Sequence, residues 1–179
     1  ELDVTRSLCR DSFEDFVREF WDTIIAEECE WNWHLTILCA ELQRMAERLF
    51  LGLPKEYDLV INIPPGTTKS TIASRMFPAW VWCRMASARF ICASHGHTLS
   101  LDFSRATRDI IESERYQQLF PNIDLRADQN TKGLFINTEK GTRFACSVGA
   151  KVTGHHGHFV IIDDPLDPQQ AVSETELRG

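Results

Sequence analysis

The sequence predicts an α/β fold: a mostly parallel sheet flanked by helices, with a helical lead-in at the N-terminus. Three observations carry this. Apolar residues recur at helical spacing through residues 12–51, short β-branched runs alternate with helical segments after Tyr57, and Pro, Gly and Asp punctuate those runs. The 179 residues, 43% hydrophobic and 25% charged, are enough for one packed core. That balance excludes wholesale disorder. No apolar run approaches the roughly 20 residues that span a bilayer, and the polar, acidic start ELDVTRSLCRD does not read as a signal peptide.

Ser12, with Asp15 three residues on, opens a helix expected over residues 12–29. Phe13, Phe16, Val17, Phe20, Trp21, Ile24 and Ile25 lie on one face of it. A second helix is expected over 34–51, stopped by Gly52 and Pro54. Between the two lies an aromatic junction, Trp31 to His34. Residues 59–63 (LVINI) read as a buried strand, followed by a helix from about Lys69 that Pro78 kinks or ends. Residues 89–93 form a second strand and 98–114 a helix with Leu99, Phe103, Ala106 and Ile110 on one side. Residues 134–137 and 143–148 flank Glu139-Lys140-Gly141 as a hairpin. The last strand, 159–162, runs straight into Asp163-Asp164-Pro165. Residues 1–57 thus form a helical N-terminal segment and 58–179 the α/β core.

The six cysteines show no CxxC pair and no regular spacing, and four sit in apolar stretches; they read as reduced, buried thiols. Charge is uneven. Residues 1–58 hold 14 Asp and Glu against 6 Lys and Arg, whereas the remainder is nearly balanced. An overall charge of −7 gives no general electrostatic support for nucleic-acid binding, so any DNA contact needs a local basic patch.

Four segments bear chemistry. The stretch Pro64-Pro65-Gly66-Thr67-Thr68-Lys69-Ser70-Thr71 lies between a strand and a helix, the context of a phosphate-binding loop. Pro65, Gly66, Thr67, Thr68, Lys69, Ser70 and Thr71 would cradle phosphate oxygens, with the backbone N–H groups of all but Pro65 and the positive helix end as donors. Lys69 would reach the β- and γ-phosphates and the Ser70 hydroxyl would ligate Mg²⁺. The match to G-x-x-x-x-G-K-[ST] is incomplete: Ile63 and Thr68 stand at the two glycine positions, and Gly66 alone takes positive φ cheaply. A plain Pro-Gly turn capped by Thr remains the alternative. The second segment is Asp163-Asp164, 94 residues after Lys69 at a strand tip. There the first acid can hold a metal and the second can activate water; a simple turn is the bland reading.

Third, Thr153-Gly154-His155-His156-Gly157-His158 suits a metal site, a nucleotide-sensing loop or a solvated loop. Fourth, the Trp31, Trp33 and His34 junction can stack on an adenine ring or serve as an apolar hinge. Arg105 and Arg108 lie on a solvated helix face or contact phosphate, DNA or a neighbouring subunit.

In series, these blocks resemble the large terminase subunit of tailed bacteriophages, the ATP-driven DNA-packaging motor. The resemblance covers about residues 12–170: Trp33-His34, INIPPGTTKST, SRMFPAW, ASHGHTLSLDFSRATRDII, YQQLFP, Thr153-Gly154 and FVIIDDPLDP, in that order. It implies a P-loop NTPase of the additional-strand class that binds ATP and Mg²⁺. Lys69 and Asp164 would be catalytic, Ser70 and Asp163 would hold Mg²⁺, and Trp33 and His34 would contact adenine. It also implies double-stranded DNA, a portal protein and a small terminase subunit as partners. The setting would be a homo-oligomeric ring in the host cytoplasm, docked on the procapsid portal, with no membrane role.

Three departures stand out. Thr68 replaces the glycine most members carry before the lysine. His155 stands where an arginine often lies, leaving Arg143 and Lys151 as candidates for a finger on a neighbouring subunit's ATP. Nothing in the 179 residues resembles the family's coupling strand or nuclease domain. Two rivals share the motifs: a helicase-like P-loop ATPase, and a nucleotide-binding assembly module without turnover.

Overall fold

The computed structural model describes residues 1–166. The chain opens with helix α1 (Leu2–Asp11), which the apolar periodicity left unread. Ser12 ends α1 and starts α2 (Phe13–Ile24). Its N–H bonds Leu8 O at 2.9 Å while its hydroxyl accepts the Asp15 N–H. The stripe of Phe13, Phe16, Val17, Phe20 and Trp21 is buried as its spacing demands. Helix α2 stops earlier than expected because Trp21 Nε1 donates to Glu27 O, folding the acidic stretch back on itself. Asn32 caps α3 (Trp33–Phe50).

The chain becomes helical again at Lys69. A π-helical turn, Thr71–Met76, leads directly into α4 (Phe77–Arg84). Pro78 therefore does not end the helix: it falls in the first turn of α4, just after a stretch of i→i+5 pitch. Then follow β1 (Arg89–Ser94), α5 (His97–Glu112) and α6 (Glu114–Leu119), the last capped by the Ser113 hydroxyl. Strands β2 (Leu125–Asn130), β3 (Leu134–Asn137), β4 (Thr142–Ser147) and β5 (Phe159–Asp163) complete the described chain. Neither α6 nor β2 was legible in the periodicity.

The sheet has five strands in the order β2-β3-β4-β1-β5. It is mixed rather than mostly parallel. β1 pairs in parallel with β4 and β5, whereas β2–β3 and β3–β4 are antiparallel. The reason is connection length: the tight turn through Lys140 (φ 67°) and Gly141 cannot supply the dozen or more residues a parallel crossover needs. The expected strand at 59–63 is not formed. Leu59, Ile61 and Ile63 are half-buried and Val60 and Asn62 exposed, so the strand period is present. Among the described residues, no neighbouring strand completes a ladder with it.

One apolar cluster unites the helices and the sheet. Phe13, Phe16 and Phe20 of α2 and Leu38 of α3 join Ile72, Trp80, Phe90 and Ile110 in it. Buried polar bonds pin the elements: Trp80 Nε1 donates to Cys9 O at 3.0 Å and Tyr116 Oη to Ala79 O at 3.0 Å. All six cysteines are free thiols, and burial pushes those of Cys9 and Cys39 up to about 12. No helix among the described residues is long and apolar enough to cross a membrane. The expected core boundary at residue 179 and the Asp167-Pro168 end of the terminase-like FVIIDDPLDP block lie outside the described residues.

Candidate functional site

Parallel β1 and β5 end side by side, with Ser94 opposite Asp163. The carboxyl ends of neighbouring parallel strands are where ligands collect in α/β sheets. A cleft of about 320 Å³ opens there, lined by Ile63, Pro64, Pro65, Gly66, Thr67, Thr68, Lys69, Ser70, Thr71 and Asp164. Two residues of its loop take the left-handed region, Gly66 at φ 78° and Thr68 at φ 63°. Thr68 therefore adopts, with a β-branched side chain, the conformation for which glycine is the usual choice. The Thr67 hydroxyl donates to Pro64 O at 2.6 Å and braces the turn. Ile72 N–H bonds Thr68 O at 3.1 Å as the helix starts. A helix start leaves its first N–H groups without backbone partners, and they are the donors an anion would meet here.

Lys69 projects across this cleft to both strand-tip acids. Its ammonium lies 2.6 Å from Asp164 Oδ1 and 3.4 Å from Asp163 Oδ1. The Asp164 hydrogen bond, reinforced by both negative charges against partial burial, raises the lysine pKa. Asp163 is only 5% exposed, and its second oxygen accepts a 2.8 Å bond from the buried Ser74 hydroxyl. Asp164 turns out of the strand at φ 45°, and its carbonyl accepts the His95 N–H at 3.1 Å. The two acids thus have different settings, one buried and clamped, the other half-exposed on a turn.

Two carboxyl groups face one lysine here, and the Ser70 hydroxyl stands at the helix start beside them. These are hard oxygen donors, and they fit Mg²⁺. Among the described residues no group of three or more His, Cys, Asp or Glu converges as a metal cage. A Mg²⁺ site built on one or two carboxylates and completed by substrate phosphates and water needs no such cage.

No family model matches the chain. No curated protein matches it either.

The remaining candidates scatter. Trp33 is 72% exposed at the start of α3, with its ring edge-on to His34, and neither lines the cleft. The three histidines do not converge: the His155 ring stacks on Phe144 at 3.9 Å, and His158 Nδ1 accepts the Arg89 N–H. Arg105 pairs with Asp102 on the surface of α5, and Arg108 lies over the Phe135 ring. Arg143 is a correction. Expected as a candidate finger for a neighbouring subunit, it is wholly buried on β4 and bonded to Ser74 O, so it cannot reach out. The sequence reading assigned no role to Ser74 or His95. A signal existed for each: Ser74 lies one turn after Ser70, and His95 directly follows the strand that pairs with β5.

Proposed function

We propose that this chain is the ATPase domain of a viral DNA-packaging motor, a P-loop ATPase of the additional-strand class hydrolysing ATP with Mg²⁺. One observation carries the reading: Lys69, from a loop that begins a helix, meets Asp163 and Asp164 from a parallel strand tip, with Lys69 and Asp164 lining one cleft and Asp163 buried behind it. A lysine and two acids 94 residues apart in sequence converge as the two halves of a Mg-nucleotide site require.

The chemistry follows from these residues. The loop amides and the Lys69 ammonium bind the phosphates and stabilise the charge that develops on them. Lys69 is held by Asp164 in the free protein, so phosphate binding exchanges that partner and releases the Asp164 carboxylate. Asp164 then orients water in line with the γ-phosphate and accepts its proton. Asp163 and Ser70 would hold the metal. When bound, Mg²⁺ neutralises charge on the phosphate oxygens. The resemblance assigns Trp33 and His34 to the adenine side, although neither lines the cleft. Turnover would drive double-stranded DNA into a procapsid from a homo-oligomeric ring in the host cytoplasm, docked on the portal protein with the small terminase subunit. This setting rests on the serial resemblance of the motifs.

Titration of Mg-ATPγS into the purified chain by calorimetry, with Lys69→Ala alongside, tests the site. Saturable binding lost in a mutant that keeps its circular dichroism is the expected result. Equal affinity in the two folded proteins refutes it.

A further inference from the structure

Arg143 poses a problem that packing does not solve. It is 0% exposed, forms no ion pair among the described residues, and keeps Nε and Nη1 without hydrogen-bond partners. Burial pushes its pKa down. An uncompensated buried charge is costly, and even buried ion pairs can often be replaced by apolar side chains without loss of stability, so an unpaired buried arginine calls for another explanation. Its hydrogen bond is made by Nη2, which donates to Ser74 O at 2.9 Å.

That carbonyl lies where Pro78 withholds a donor. In an α-helix it would receive the N–H four residues on, and that residue is Pro78, which has none. The backbone ladder changes pitch just before it, as the π-helical turn Thr71–Met76. A side chain reaching into the backbone ladder beside a proline is a recognised cause of such distortion. Arg143 therefore supplies from β4 the donor that Pro78 lacks.

Ser74 is also the residue whose hydroxyl donates to Asp163 Oδ2 at 2.8 Å. Arg143 lies opposite Phe90 on β1, and Asp163 lies opposite Ser94, two pairs along the same face of that strand. The π-helical turn bridges β4 and β5 across this face. We infer that Arg143 is a positioning residue for Asp163: it fixes the carbonyl of Ser74, and so aims the Ser74 hydroxyl that sets the acid's orientation. This rests on the reading of Asp163 as a metal-binding acid. It adds a residue that touches neither nucleotide nor metal.

The test is calorimetry with ATPγS in Mg²⁺ and in EDTA, which separates metal-dependent from metal-free affinity. Wild type should bind more tightly with Mg²⁺. Arg143→Met should lose about tenfold of that gain while its affinity in EDTA is unchanged, as expected when a partner that orients a metal ligand is removed. Ser74→Ala should show the same loss, and the double variant no more than either alone. Arg143→Lys, which keeps a donor, should recover part of the gain.

An intact gain in Arg143→Met, an equal fall in both conditions, or additive losses in the double variant would each overturn the inference and leave the nucleotide site standing. Wild type with no Mg²⁺-dependent gain would instead bring down the reading of Asp163, and the inference with it. If Arg143→Met does not fold, Arg143→Lys in the wild-type and Ser74→Ala backgrounds decides. A loss of metal-dependent affinity in the first and none in the second supports the relay. Equal losses in both, or none in either, overturn it.

Discussion

Replacing Gly141 by alanine should destabilise the protein severely, for a reason that is geometric rather than conformational. A Cβ at this position would stand 2.0 Å from Ala86 O, 2.7 Å from Asn137 Nδ2 and 2.9 Å from Trp82 Nε1. None of these atoms is free to yield. Asn137 Nδ2 donates to Ala86 O at 2.7 Å, Trp82 Nε1 donates to Ala88 O at 2.9 Å, and Gly141 N–H donates to Asn137 Oδ1 at 2.7 Å. Overpacking a filled site costs about 1–3 kcal/mol. Breaking one or two of the buried bonds adds about 1–3 kcal/mol. The expected loss is therefore roughly 2–6 kcal/mol. Gly133→Ala is the control, since its Cβ would meet nothing closer than Leu101 Cδ2 at 3.6 Å. Urea denaturation followed by tryptophan fluorescence compares the two, and Gly133→Ala should stay within about 0.5 kcal/mol of wild type. A Gly141→Ala protein within 1 kcal/mol of that control would refute the packing account of the hairpin.

Three further outcomes follow from the cleft and its surroundings. Thr68→Gly should raise stability by up to roughly 1.5 kcal/mol. It removes a left-handed β-branched residue at a gain of about 1–2 kcal/mol, less the glycine entropy of about 0.5–1 kcal/mol. A lower thermal midpoint would contradict it. In a form of the protein that turns over ATP, Asp164→Asn should retain nucleotide binding and lose hydrolysis, measured as phosphate release; wild-type rates would remove Asp164 from its role. His158 has its pKa lowered from 6.5 by burial and by the Arg89 charge. The unfolded chain therefore binds more protons than the folded one between that lowered value and 6.5, so stability should fall as pH drops through this window and be unaffected above it. Denaturation midpoints at several pH values should show a shallower acid slope in His158→Gln, and an unchanged slope would exclude His158 as a source.

How much was legible differs by element. The stripe of Phe13, Phe16, Val17, Phe20 and Trp21 declared α2 because one face must be buried and 3.6 residues make a turn. The hairpin around Lys140 and Gly141 was declared by its turn residues, although its antiparallel ladder makes the sheet mixed. Residues 59–63 have the composition and alternation of a strand, yet a strand needs a partner for its backbone groups, and partners are not written locally. Helix α1 escaped because only Cys9 of its ten residues is buried.

At the site, the reactive groups were legible locally. PPGTTKST marks a loop before a helix and Asp163-Asp164 a strand end, because turn chemistry and hydrophobic period are local properties. Tertiary structure decided what those groups do to one another. Only the packed sheet brings Lys69 within 2.6 Å of Asp164 and the Ser74 hydroxyl within 2.8 Å of Asp163. Only it turns Arg143 inward to the Ser74 carbonyl. Such bonds span 69 to 95 residues of chain. No local pattern encodes them, since they depend on which strands neighbour one another and on the one face they share.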